Sequence, residues 1–388
     1  MALGHPVKQH KALVDIGLSE ELDIEDIKEF YRKNYNSQDT KDDDEDEEEV
    51  HPALHMKLQT FNYNVKYNLP KFGRVETIIG IQGLNQTNAN YGEEELIPDA
   101  STNDIGILAT SHIHFDNLDV QLGARFDNRN IKVESGLNNS YNSFNGALGL
   151  KTNITDNFVS RINLASGFRA PNLAELTSDG VHHGSNRYEI GNANLDNEQN
   201  LQVDVNLEFT NEHVEFFVNG FYNTIGNYIF LSPNGTEIEN TQVFNYVQDD
   251  ANLYGGEIGM HFHPHPLDWL HFESSFETVT GKLSKDDYLP LIPANNFNNT
   301  IRLEFNKLNK NVENFYSFVT LKSVMKQRNV STYVTSTDSY NLLALGLGGT
   351  FSVFGKTATG RITATNLLDK VYVSHLSRLK ADGIANMG

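Results

Sequence analysis

The sequence predicts an all-β chain, an antiparallel transmembrane β-barrel of the outer-membrane type, and three observations predict it. From residue 55 to about 375, stretches of roughly ten residues alternate apolar and polar positions, and this unit recurs about fourteen times. The connections between units alternate strictly between short and long. Aromatic residues, 23 Phe and 16 Tyr in all, include several near the predicted strand ends. A soluble sandwich also has alternating strands, but it explains neither the loop rhythm nor the recurrence of charge on one face.

Taken in chain order, residues 1–54 stand apart from the repeat. Leu18 to Tyr35 carries a ragged apolar stripe suited to a short acidic helix, and eight consecutive acidic residues follow, Asp42 to Glu49. Such a run repels itself and is normally solvated. This segment is expected to be a long acidic, His-containing extracellular loop, with residues 55–388 forming the barrel domain. In 118–126, Leu118, Val120, Leu122, Ala124 and Phe126 share one face, and Asp119, Gln121, Gly123 and Arg125 share the other. Leu201 to Phe209 and Thr300 to Phe305 repeat the pattern, as side chains alternate across a strand.

Short connections fall near 68–73, 116–117, 154–157, 211–213, 264–266, 306–311 and 354–356. Long ones fall at 87–103, 129–142, 170–199, 281–296 and 327–339. In outer-membrane barrels short turns face the periplasm and long loops face outward. Tyr63, Tyr67, Phe72, Phe115, Phe126, Tyr141 and Phe144 are placed for the aromatic girdles at the two lipid boundaries. The first strand is entered from the long-connection side and the last one leaves on it, so at least one further strand is expected at each end.

Composition narrows the chemistry. The 388 residues hold no Cys and carry a formal net charge of -21, which excludes disulfides and thiolate sites and disfavours nucleic acid as a partner. No stretch approaches 18 apolar residues, so no transmembrane helix is expected. The start of the chain lacks the apolar region of a signal peptide. A mean hydropathy of -0.45 is compatible with a barrel, which turns only alternate residues to lipid. Gly-x-Ser-x-Gly, His-Glu-x-x-His and a phosphate-binding Gly-rich loop are all absent, so no enzyme is predicted.

The segment Ser166-Gly-Phe-Arg-Ala-Pro-Asn-Leu-Ala-Glu-Leu176, followed by Gly191-Asn-Ala-Asn-Leu-Asp-Asn-Glu-Gln199, resembles the TonB-dependent receptors. Further echoes are Asn252-Leu-Tyr-Gly-Gly-Glu257, Leu289-Pro-Leu-Ile-Pro293 and Thr365-Asn-Leu-Leu-Asp-Lys-Val-Tyr372. The resemblance implies an active-transport receptor of the Gram-negative outer membrane, built as a 22-stranded plugged barrel and energised by an inner-membrane TonB-type partner. The family's signal peptide, energiser motif and plug are not visible, and the chain stops at Asn386-Met387-Gly388 without a terminal aromatic. The chain is therefore expected to be a barrel fragment lacking the plug and the last strand. The loop Asp179-Gly-Val-His-His-Gly-Ser-Asn-Arg-Tyr-Glu-Ile-Gly191 narrows the resemblance to a subgroup tied to uptake of zinc or other metals.

Without Cys, a zinc site must be built from imidazole and carboxylate. His182 and His183, with Asp179 and Glu189 nearby, form one candidate set; the alternative is that they are solvated loop residues. His51 and His55 beside the acidic tract form a second, where carboxylates concentrate cations and imidazoles favour zinc over calcium. His261, His263 and His265 share a strand face, but the prolines around them place them in a periplasmic turn, where an aromatic-belt role is expected. His112 and His114 are read the same way. Arg169 is expected on the polar face near the outer rim, with Glu175 and Glu198 as partners. The expected function is uptake of a metal ion or small metal complex, possibly zinc as transported ligand, with no cofactor required. The alternative is a passive porin, or a surface adhesin binding a protein through its acidic loops.

Overall fold

A computed structural model describes residues 55–91, 97–182, 187–238, 240–377, 380, 385 and 386. The helix expected at Leu18 to Tyr35 and the acidic tract lie outside the described residues. The strands are β1 Met56–Asn68, β2 Val75–Asn90, β3 Ala100–His114, β4 Leu118–Val133, β5 Asn138–Thr155, β6 Phe158–Arg169, β7 Asp179–His182 and β8 Arg187–Ile190. They continue as β9 Glu198–Thr210, β10 Val214–Ile238, β11 Thr241–Phe262, β12 Leu270–Leu283, β13 Asn296–Asn309, β14 Val312–Val324, β15 Tyr340–Val353 and β16 Lys356–Ala364. One five-residue helix, α1 (Leu173–Thr177), interrupts them.

All sixteen strands belong to one sheet, in which fourteen pair with their neighbours in chain order and β7 and β8 branch off. The path skips from β6 to β9, while β8 lies parallel on β11 through Tyr188, Glu189 and Ile190. Every other ladder is antiparallel. The short connections run from two residues (156–157) to seven (263–269) and share one end of the sheet.

At the other end the strands outrun a membrane. Crossing takes about 9–11 residues, whereas β10 has 25 and β11 has 22. The loop expected at 129–142 is thus mostly strand, because Ile131 and Val133 continue the alternation of β4 and bury themselves. The loop expected at 170–199 likewise contains α1, β7 and β8.

Buried apolar side chains concentrate at this far end. One cluster joins Ile131, Val133, Tyr141, Leu176, Leu195 and Ile229, and a second joins Ala251, Leu289 and Ile292. Tyr141, expected in a girdle, is 6% exposed and donates its hydroxyl to the Leu195 carbonyl at 3.1 Å. It lies on the polar side of β5, so the rim core claims it. Phe126 and Phe144, by contrast, are exposed and directly paired.

The crossing part of the wall has the opposite dress. Ile107 faces Ile81 and Phe126, and Leu164 faces Leu148 and Val203. Val203 faces Tyr222, which stacks on Tyr254. All are exposed or half-buried. A continuous apolar face of this extent has no place in water and matches the lipid face of a membrane barrel.

The Asn252-Leu-Tyr-Gly-Gly-Glu257 motif marks where strands come closest. A Cβ on Gly255 would overlap the Thr278 carbonyl, and one on Gly256 would overlap that of Asn219. Both obstacles are backbone, which cannot rotate away. Gly255→Ala is expected to destabilise the wall by about 1–3 kcal/mol, read as a lower urea midpoint in lipid vesicles.

Outside the strands, the segment 325–339 folds over the rim. Gln327 pairs with Thr337, and its amide donates to the Ile292 and Pro293 carbonyls at 3.0 Å each. Tyr333 donates to the Leu231 carbonyl at 2.9 Å, and burial pushes its phenol up to about 12. His375, 5% exposed, meets the Thr337 hydroxyl at 3.1 Å. Burial and, secondarily, Lys380 lower its imidazole to about 4. The unfolded ring binds its proton near 6.5, so the free energy holding this contact is full above that value. It falls as pH drops from about 6.5 to 4. Proton NMR of the His375 ring is expected to titrate near 4, and hydrogen exchange at 325–339 to accelerate over the same window.

Candidate functional site

The polar face of the wall carries a ladder of arginine–carboxylate pairs. Arg129 grips Asp104 with two bonds, Nε to Oδ1 at 2.7 Å and Nη2 to Oδ2 at 2.5 Å. Arg125 donates from Nε to both Asp127 oxygens at 2.8 and 2.7 Å, and its Nη1 reaches Gln82. Arg161 holds Glu208 and Asn206, each at 2.7 Å. Lower down, Arg302 sits 3.1 Å from Glu273 and 3.5 Å from Glu304. The register explains this row, because Arg129 faces Asp104 and Arg161 faces Asn206 across their ladders. Bidentate pairs fix geometry as well as charge.

Arg169 closes the row at the rim. Its Nη1 donates to both Glu175 oxygens at 2.8 Å, while Nε and Nη2 bind Glu198 at 2.9 and 2.6 Å. Both carboxylates have further duties. Glu175 is the N3 residue of the capping box that starts α1, with Asn172 donating to it and accepting from it. Glu198 also accepts the Ile229 amide at 2.8 Å. The Phe-Arg-Ala-Pro-Asn-Leu-Ala-Glu phrase is thus a clamp in which one guanidinium ties β6, α1, β9 and β10 together.

Between the clamp and β2–β4 lies a hollow of about 500 Å³, lined among others by Asp104, Arg125, Asp127, Arg129, Asn145 and Arg169. Three guanidiniums and two carboxylates around an open space suit a small charged or strongly hydrated ligand. Arg125, Asp127, Arg129 and Asp104 were not foreseen as a group. Their only sequence signal is charge at period two in β4; the β3 partner appears only with the register.

The loop residues separate. Asp179 is exposed and accepts the Tyr188 hydroxyl at 2.9 Å. Glu189 is buried and accepts the Tyr246 hydroxyl at 3.0 Å. Asp179 pairs with Ile190 and Gly180 with Glu189, so the two carboxylates occupy opposite faces of the β7–β8 hairpin. His182 ends β7 opposite Arg187, and His183 lies outside the described residues. His51 lies outside them too, and His55, exposed, has its ring 5.5 Å from Tyr91.

The turn histidines depart from expectation. His261 faces Glu215 and Glu273, on the face of the arginine ladder and opposite Met260 and Phe262. His112 and His114 share the face of Asp104 by the alternation of β3, and His114 contacts Asp119 at 2.7 Å. The prolines gave their height correctly, but not their side of the wall. That side follows from counting along the strand, and it is the lumen rather than the lipid belt.

An apolar outer face, a charged inner face, short turns at one end and built-up loops at the other define an outer-membrane β-barrel protein. Residues 20–367 match the family described as TonB dependent receptor-like, beta-barrel, and the chain belongs to that family of transporters and receptors of the Gram-negative outer membrane. Among solved structures it is similar to the copper transporter OprC, with TM-score 0.69 and 16% identity over 83% of this chain and 52% of that one. It is also similar to the FrpB iron transporter from Neisseria meningitidis, with TM-score 0.63, 12% identity and 83% and 52% coverage. A third is the siderophore receptor PirA from Acinetobacter baumannii, with TM-score 0.59, 15% identity and the same coverage. The chain spans about half the length of these proteins, and at such identities the likeness concerns the fold.

Proposed function

We propose that the protein serves active uptake of a metal ion or small metal complex across the outer membrane, driven through an inner-membrane TonB-type partner. The observation that carries this reading is the charged hollow beneath the Arg169 clamp, open to the lumen of a wall whose other face is apolar. Family membership supports the transport class, and the structurally similar proteins are named as copper, iron and siderophore transporters or receptors.

Zinc is the cargo the residues favour. Imidazole and carboxylate are its donors where Cys is absent, and His182, His183 and exposed Asp179 lie on one outer loop. The acidic tract Asp42 to Glu49 would concentrate the cation beforehand, and His51 and His55 beside it would add preference for zinc. Glu189 serves this loop by holding Tyr246 rather than by reaching outward. Cells expressing the full-length receptor that contains this barrel should take up radiolabelled zinc, and dissipating the inner-membrane proton gradient should abolish the uptake. Uptake that continues unchanged without the gradient would identify a passive pore and sink the active-transport reading.

A further inference from the structure

Five histidines converge on the lumen face at the short-turn end, far from the outer loops. His213 and His263 are cross-strand neighbours, with the His263 amide bonded to the His213 carbonyl at 3.0 Å. Their rings are 5.5 Å apart, and His263 is 5.6 Å from His271 and 5.7 Å from His261. His261 and His271 satisfy each other, Nε2 to Nδ1 at 2.9 Å. His213 and His263 do not: the Nδ1 atom of each is buried and has no hydrogen-bond partner. Asp268, at the far side of the same turn, brings a carboxylate so that one ligand atom from each of the three lies within 4.8 Å of the others.

Buried ring nitrogens without partners are costly, and a carboxylate oxygen within 4.8 Å of one ring nitrogen of each histidine suits a shared cation. We infer that His213, His263 and Asp268 form a binding site for a divalent transition metal of the zinc class at the short-turn mouth of the lumen. Two imidazoles and one carboxylate leave a fourth position open, the arrangement of an exchangeable rather than a closed structural site. Tetrahedral coordination at about 2.0–2.1 Å sets donors about 3.3 Å apart, so closing the site takes ring and carboxylate movements on the order of 1 Å. Oxygen-loving calcium and magnesium are disfavoured by the two nitrogens. His265 stacks on His213 with centroids 5.7 Å apart and touches Asp268 at 3.3 Å, so it competes for the carboxylate when the metal is absent. Glu215, 3.6 Å from His261, and Glu304, 3.9 Å from His271, add negative charge around the cluster. The site stands on this geometry alone and does not depend on which cargo enters at the outer loops.

The test uses the full-length protein in detergent, titrated with zinc by calorimetry and with cobalt by visible absorption. The wild type should show a zinc equivalent that His213→Gln with His263→Gln removes or weakens at least ~10-fold. The intense bands of four-coordinate cobalt should disappear with it. Asp268→Asn, an exposed turn substitution, should produce the same loss in a protein whose folding is not in question. His261→Gln with His271→Gln should leave that equivalent in place. Zinc and cobalt binding unchanged in both the double His213/His263 variant and Asp268→Asn would overturn the site, as would loss confined to the His261/His271 variant. Failure here leaves the outcome of the uptake assay untouched.

Discussion

Arg169→Ala is expected to be the most damaging single change at the rim. Glu175 and Glu198 are about nine-tenths buried as side chains, and the guanidinium between them is 41% exposed. Removing one member of a buried ion group leaves uncompensated charge and costs about 3–5 kcal/mol. Partial exposure of the arginine brings the expectation to about 2–4 kcal/mol. Because Glu175 also caps α1 and Glu198 also binds the Ile229 amide, the damage should concentrate in 170–197 and the adjoining part of β10. Limited proteolysis there, alongside the urea midpoint, measures it.

Arg169→Lys should recover little, since one ammonium cannot reproduce the fork that engages four carboxylate oxygens. The triple variant Arg169→Ala, Glu175→Gln, Glu198→Gln should be more stable than Arg169→Ala alone, because it removes the orphaned charges. A triple variant no better than the single one would mean that the arginine acts through packing.

The clamp also shows what could be read from the chain and what could not. Fourteen wall strands and their alternating connections follow from local period and turn residues, which need no knowledge of neighbours. Arg169 declared itself by lying on the polar face at the end of β6, with acidic residues six and 29 positions on. Ile131 and Tyr141 misled because the rim is a small soluble core built on top of a membrane wall. In that core the inner face is buried, not wet. The partners Arg129 and Asp104 lie 25 residues apart and meet only through register. His213 and His271 are illegible for the same reason: His213 is a lone histidine in the turn before β10 and His271 a lone one in β12, and only the ladders through β10, β11 and β12 bring them to His261 and His263.

The lipid reading of the outer face carries the second large expectation. Leu122 is 44% exposed and lies between Ser111 and Leu148. Counting from Leu118, where β4 leaves the short turn, it is the fifth residue of a crossing about 9–11 residues long, which sets it near the bilayer midplane. Leu122→Arg should cost about 2–4 kcal/mol in lipid vesicles. Its neighbour Gln121 faces His112 and Gly149 on the lumen side, where Gln121→Arg should stay within about 0.5 kcal/mol. Two adjacent positions with the same new side chain then differ only in the solvent they meet. In water, a residue already 44% exposed would accept arginine almost freely. A large gap between the two urea midpoints therefore requires hydrocarbon on the Leu122 side, and equal midpoints would remove the membrane from the account of this wall.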